Sequence, residues 1–185
     1  MKVAAAFVVA VLAGTTLLAQ SAEAIQKRLE AQAASLVAWT QDKSILDAVR
    51  AQNAKKLRLA DIQRDDAAWM AGKNEELVKQ MITGPCADHL RELARKGGDG
   101  ESFVMDNQGA LVCATEKTSD YWQGDEAKWI RAFNGGHGTT FIDRLRYDDS
   151  AKEHLAQISV PILDAGKTIG VITVGVLQKP AEAHH

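Results

Sequence analysis

Ser102 to Trp129 reads S-F-V-M-D-N-Q-G-A-L-V-C-A-T-E-K-T-S-D-Y-W-Q-G-D-E-A-K-W, and this stretch decides the fold. Phe103 to Met105 and Ala110 to Thr115 are apolar enough for two short strands. Asp106-Asn107-Gln108-Gly109 between them is a turn, because Asn and Asp tolerate turn geometry and Gly takes a positive φ cheaply. Two strands alone are marginal in water, so the hairpin predicts further strands beside it. The segment after the hairpin is aromatic and acidic, and it runs into a helix opened by Asp125-Glu126, with acidic side chains at the positive end.

Downstream, Thr139 to Tyr147 alternates as one strand, with Ile142, Arg144 and Arg146 on one face and Phe141, Leu145 and Tyr147 on the other. Asp148-Asp149-Ser150 turns the chain. His154 to Leu163 and Thr168 to Leu177 are two more strands, joined by Asp164-Ala165-Gly166-Lys167. The last is apolar on both faces, as a covered central strand is.

Upstream, Ile25, Leu29, Ala33, Leu36 and Val37 recur at helical spacing in a tract reaching about Asn53, with Ser44 expected to cap its continuation. Asp65-Asp66 reads as the cap of a short helix through Trp69. Glu75 to Thr83 and Asp88 to Lys96 read as further helices, separated by Gly84-Pro85. Helices, a hairpin, a helix and three strands make an α+β chain: a five-stranded antiparallel sheet of PAS-like type, with a long N-terminal helix packed on one face.

The totals bound the rest. With 22 Lys plus Arg against 24 Asp plus Glu over 185 residues, the net charge is -2, which leaves no basic surplus for nucleic acid. Lys2, the apolar run Val3 to Leu18 and the small-x-small ending Ala22-Glu23-Ala24 read as a secretory signal peptide cleaved after Ala24; an uncleaved membrane anchor is the alternative. The expected location is the periplasm. In an exported protein Cys86 and Cys113 are permitted to form a disulfide; two buried thiols are the other reading. The expected division is leader 1–24, helical region 25–98, sheet 99–178 and loose tail 179–185.

No G-x-S-x-G, H-E-x-x-H, P-loop or G-x-G-x-x-G occurs, so the chain does not read as an enzyme and no cofactor is expected. Of His89, His137, His154, His184 and His185, only the terminal pair are neighbours, and no metal site is expected.

"Phe-Val-Met-Asp-x-x-Gly" followed by "Thr-Ser-Asp-Tyr-Trp-Gln-Gly-Asp-Glu-x-Lys-Trp" resembles the extracellular sensor domains of the PDC, or Cache, type. Gln157 to Ile162, Ile169 to Val176, Ala51-Gln52-Asn53 and the Ile62…Asp65…Trp69 spacing are similar to the same pattern. The resemblance implies that the segment after the hairpin forms the lid of a small-molecule pocket. Asp120, Tyr121, Trp122 and Trp129 are the lid candidates, since aromatic walls with a few polar groups make a pocket. The alternative is that the indoles are core plugs and Asp125 only caps a helix. Arg144 and Arg146 are candidates for a carboxylate, the alternative being a solvated face paired with Asp143, Asp148 or Asp149. Gln157, Ser159 and Thr173 are candidate orienting groups if they point into the pocket; the alternative is that they are satisfied strand neighbours. The expected function is a sensor domain that binds a small polar metabolite such as an amino acid, amine or organic acid. No kinase, methyl-accepting or cyclase segment is present, so signalling implies a separate membrane-bound partner. Pairing with a second copy through the N-terminal helix is a further expectation. The alternative is an envelope interaction protein with a vestigial pocket.

Overall fold

The computed structural model describes residues 23–97, 100–148 and 153–178. The leader and the terminal tail with its two histidines lie outside the described residues, apart from 23–24.

The hairpin is β1 (Ser102–Met105) and β2 (Leu111–Ala114), paired antiparallel with a bulge after Val104. Its turn is built by Asp106, whose Oδ1 accepts the backbone N–H groups of Gln108 at 2.8 Å and Ala110 at 3.0 Å, while Gly109 supplies φ +85°. The other strands are β3 (Phe141–Ile142), β4 (Arg146–Asp148), β5 (Glu153–Asp164) and β6 (Lys167–Gln178). Their order is β2-β1-β6-β5-β3, with β4 pairing β5 on the edge that β3 occupies. The sheet thus has five strand positions, and β6 is central, as its two apolar faces require.

The strand expected over Thr139 to Tyr147 is interrupted. Asp143 N–H still donates to Gln157 O at 2.8 Å, but Arg144 N–H turns to the Asp143 carboxylate at 2.7 Å. A local side-chain acceptor has displaced the ladder. Strict alternation is lost with it, and Ile142 and Leu145 pack against the same apolar cluster instead of opposite faces.

Helices cover both faces. One face meets α1 (residues 23–36), α2 (Lys43–Ala54) and α5 (Pro85–Gly97). There Leu29, Leu36, Ile45, Val49 and Leu90 pack on Val104, Ile158, Ile172 and Val174. The other face meets α3 (Leu59–Met70), α4 (Glu75–Ile82) and α6 (Ala127–Phe133). Its core is Ile62, Trp69, Phe103, Met105, Leu111, Tyr121 and Val171.

The helix starts differ from the expected ones. Asp42, not Ser44, caps α2, accepting from Ser44 N at 2.8 Å and Ile45 N at 3.4 Å; a carboxylate two residues earlier outcompetes the hydroxyl. Asp65 and Asp66 lie inside α3, which begins at Leu59. Pro85 is the first residue of α5, where its missing N–H costs nothing. Glu126 stands at the cap of α6 without a side-chain cap bond, and Asp125 is exposed. Cys86 and Cys113 form a disulfide between α5 and β2, with Cα atoms 6.1 Å apart.

Candidate ligand-binding site

Beyond β2 the chain doubles back along that strand's outer edge. Leu111 N–H donates to Tyr121 O at 3.0 Å and Gln123 N–H to Gly109 O at 2.8 Å. The segment 115–126 is therefore a lid hung on the hairpin. It is also anchored from α3: Asp66 Oδ1 accepts the backbone N–H groups of Tyr121 at 2.8 Å and Trp122 at 3.0 Å. Lid and turn meet so closely that a Cβ on Gly109 would lie 2.3 Å from Gly124 Cα.

The aromatic side chains turn inward. Tyr121 is 2% exposed, with its ring centroid 5.8 Å from that of Trp69. Its hydroxyl accepts from Gln52 Nε2 at 3.5 Å. Burial, with the nearby Asp106 charge second, pushes the Tyr121 phenol up to about 12, so it stays protonated. Burial also raises Asp106, against the opposing pull of the turn N–H groups it accepts. Each of three indoles donates to a backbone carbonyl: Trp69 to Thr118 at 2.9 Å, Trp122 to Gln108 at 2.8 Å and Trp129 to Asp106 at 3.1 Å. Trp129 stacks on Phe133 at 4.8 Å.

The sheet face beneath carries two of the predicted polar groups. Ser159 and Thr173 are fully buried, and their hydroxyls meet at 2.8 Å. Gln157 lies on the same side of β5 and is half-buried. Tyr121, Trp122, Trp129, Ser159 and Thr173 are thus brought to one side of the sheet. Asp120 is half-buried at the lid's outer turn, where its carboxylate takes the Ser119 hydroxyl at 2.6 Å. Arg144 and Arg146 do not join them. Both are exposed, and Arg146 reaches Asp143 at 3.4 Å, because the interruption after Ile142 removes the face on which they were aligned.

Gln52, Asp66 and Asp106, which hold the lid and its turn, were missed in the sequence as site residues. A signal existed for two of them. Gln52 follows Ile45 and Val49 along the buried stripe of α2, and Asp66 falls between Ile62 and Trp69 on that of α3. A polar residue on an apolar stripe must be satisfied by something packed against it.

Cavities of about 780, 530 and 290 Å³ lie beside the disulfide, between α1 and α5, and along α4, where Lys117 of the lid joins the lining. None of the three is lined by a lid aromatic residue. Among the described residues no group of three or more His, Cys, Asp or Glu is placed to hold a metal ion, and no helix is long and apolar enough to cross a membrane.

No family model matches the chain, and no curated protein sequence does. Solved structures do. The sensor domain of the V. cholerae histidine kinase DctB is similar over 92% of this chain and 57% of that one, with a TM-score of 0.53 and 12% identity. The fold is that of a PDC/Cache-type sensor domain. The chain spans less than two thirds of the DctB domain's length. The ligand-binding domain of the Campylobacter jejuni chemoreceptor Tlp3, in complex with 4-methylisoleucine, covers 75% of this chain and 62% of its own at TM-score 0.41 and 14% identity. That of the Pseudomonas aeruginosa PAO1 amino acid chemoreceptor PctC, in complex with GABA, covers 60% and 55% at TM-score 0.42 and 15% identity. Lid and α6 together form the connection from β2 to β3, and Tyr121, Trp129 and Ala132 from them join one apolar cluster on a single sheet face.

Proposed function

We propose that the chain is an exported sensor domain that binds a small polar metabolite, such as an amino acid, an amine or an organic acid, between the lid and the sheet. The leader 1–24 is removed after Ala24 into the periplasm, residues 25–178 form one domain, and occupancy is passed to a separate membrane-bound signalling partner, with pairing of two copies through α1. One observation carries this reading: an aromatic lid, pinned by Asp66, lies over the sheet face that holds a buried hydroxyl pair. The two buried hydroxyls share one hydrogen bond, which leaves one O–H proton for an acceptor on a ligand. For signalling, the metabolite must bind one lid arrangement better than another.

The test is a thermal-shift screen of amino acids, amines and carboxylates on the purified chain, followed by calorimetric titration. A binder raises the unfolding midpoint in proportion to the logarithm of its concentration above Kd. Ser159→Ala with Thr173→Val should weaken that binder. A screen in which no class moves the midpoint overturns the proposal.

The second reading, an envelope interaction protein with a vestigial pocket, is favoured by the satisfaction of the indoles in and around the lid. The three indole N–H groups already have protein acceptors. It predicts a fixed protein partner and no midpoint shift with any metabolite.

A further inference from the structure

Four side chains stand in one row across the sheet. Phe103 of β1 pairs with Thr173 of β6, Thr173 with Ser159 of β5, and Ser159 with Phe141 of β3. Paired residues of antiparallel strands point to the same side, and both phenylalanines pack in the lid-side cluster. The row therefore has a phenyl ring at each end and the hydroxyl pair between them. α6 crosses above it. Lys128 Nζ lies 5.4 Å from the Phe103 ring centroid, and Arg131 Cζ lies 5.2 Å from that of Phe141. Three residues apart, the two cations share one side of the helix.

Every polar group here can donate: the Lys128 ammonium only donates, and each hydroxyl donates as well as accepts. Two hydroxyls carry two O–H protons, and their mutual bond at 2.8 Å uses one. Among the described residues no acceptor takes the other. Lys128 is half-buried and, among the described residues, makes no ion pair; its ammonium rests only on the Phe103 ring. A half-buried cation without a counter-ion and a buried hydroxyl with a spare proton call for the same complement, an anionic oxygen.

The geometry points to Lys128 as the residue that reads ligand charge, the ligand being a small carboxylate held between the Lys128 ammonium and the Ser159–Thr173 hydroxyl pair. This rests on the lid face being the ligand site. Arg131 is exposed and serves as an attracting charge at the mouth. The hydroxyls are fully buried under α6, so the carboxylate enters when that seven-residue helix lifts. Gly124 precedes the helix, and Gly135 and Gly136, at φ +60° and +91°, follow it.

The experiment titrates the purified chain with aliphatic carboxylates of two to six carbons and with the amide and amine of each skeleton. Calorimetry and midpoint shift are the readouts. At least one carboxylate should bind and its amide and amine should not. Lys128→Met should weaken it about tenfold or more, the loss expected for one charge-assisted bond, and Lys128→Arg should restore most of it. The unliganded midpoints of both variants check that the fold is intact. Amines or amides bound in place of carboxylates, with binding lost in Ser159→Ala/Thr173→Val, overturn the charge assignment and leave the lid-face site standing. Carboxylate binding unchanged in Lys128→Met but lost in the hydroxyl variant does the same. Carboxylate binding indifferent to both variants overturns the lid-face site itself, and so does a panel without any binder.

Discussion

Asp66 Oδ1 accepts the backbone N–H groups of Tyr121 and Trp122 at 2.8 and 3.0 Å, so one carboxylate on α3 holds lid residues 55 and 56 positions further along the chain. Without this acceptor, two lid N–H groups lose their partner. Asp66→Ala should destabilise the chain by about 2 kcal/mol, and amide exchange should accelerate from Thr118 to Gly124 before it does in β5 and β6. Asp66→Asn, which keeps one oxygen acceptor, should recover most of the loss. Denaturant unfolding with site-resolved hydrogen exchange checks it, and unchanged lid protection in the alanine variant would contradict the anchoring role.

The Cys86–Cys113 disulfide closes a loop of sequence separation 27 between α5 and β2. Cross-linking a loop of that size limits the unfolded chain, so Cys86→Ala/Cys113→Ala should cost about 3 kcal/mol. The urea midpoint of the oxidised protein should fall on adding reductant, and that of the double variant should not move.

Asp106 titrates upward in the folded chain because burial disfavours its charge. A carboxyl whose folded value exceeds its unfolded one binds more protons folded than unfolded in the interval between the two values. Its contribution to stability is therefore fully present below the unfolded value and is lost as pH rises through the folded one. The unfolded reference is 3.8, so the loss begins near pH 4. Asp106→Asn does not titrate and keeps an oxygen for the turn N–H groups. The difference in midpoint, variant minus parent, should grow more positive as pH is raised from below 4 to neutrality. A difference independent of pH would rule out the burial effect.

Gly109 has φ +85°, and a Cβ there would meet Gly124 Cα at 2.3 Å. Both the backbone conformation and the space are closed to an L side chain. Gly109→Ala should cost about 2 kcal/mol or more, mainly by forcing the lid off the hairpin turn. Gly72→Ala is the control: φ there is +67°, and nothing lies within 4 Å of the added carbon. It should cost only the conformational share, about 1 kcal/mol, and equal losses at the two sites would show that the lid does not press on the turn.

Arg50 joins Asp164 through two nitrogens, at 2.8 and 2.7 Å, and so ties α2 to the tip of the β5–β6 hairpin. Arg50 holds the Asp164 carboxyl below its usual range. The pair's contribution is present above the unfolded carboxylate value and fades as pH falls through the lowered folded one. Both side chains are well exposed to solvent. Arg50→Ala should therefore lower the midpoint slightly in low salt, and less so as salt is added, because exposed pairs are screened. A midpoint loss independent of salt would assign Arg50 a packing role instead.

The local elements were legible where a short segment carries its own reason to fold. The Asp106–Gly109 turn needs only one carboxylate and one glycine, and it forms where the residues predict it. β6 was readable as central because it is apolar on both faces. Segments failed where two local solutions compete. Asp42 and Ser44 are both good caps, and the carboxylate won. The alternation of Phe141 to Tyr147 is real in the residues, but Asp143 offers Arg144 a nearer acceptor than the ladder does. That one choice takes Arg144 and Arg146 out to solvent.

Composition, turn residues and apolar periodicity by themselves determined an α+β chain with two hairpins in its sheet, because steric preference and side-chain period act over a few residues. The tertiary structure alone decided which polar groups meet: Asp66 with the lid, Ser159 with Thr173, Cys86 with Cys113, Lys128 over Phe103. Those partners lie 14 to 56 residues apart along the chain. No local preference selects among partners so distant. The order of the strands and the closing of helices over each face do, by leaving each buried group within reach of one complement.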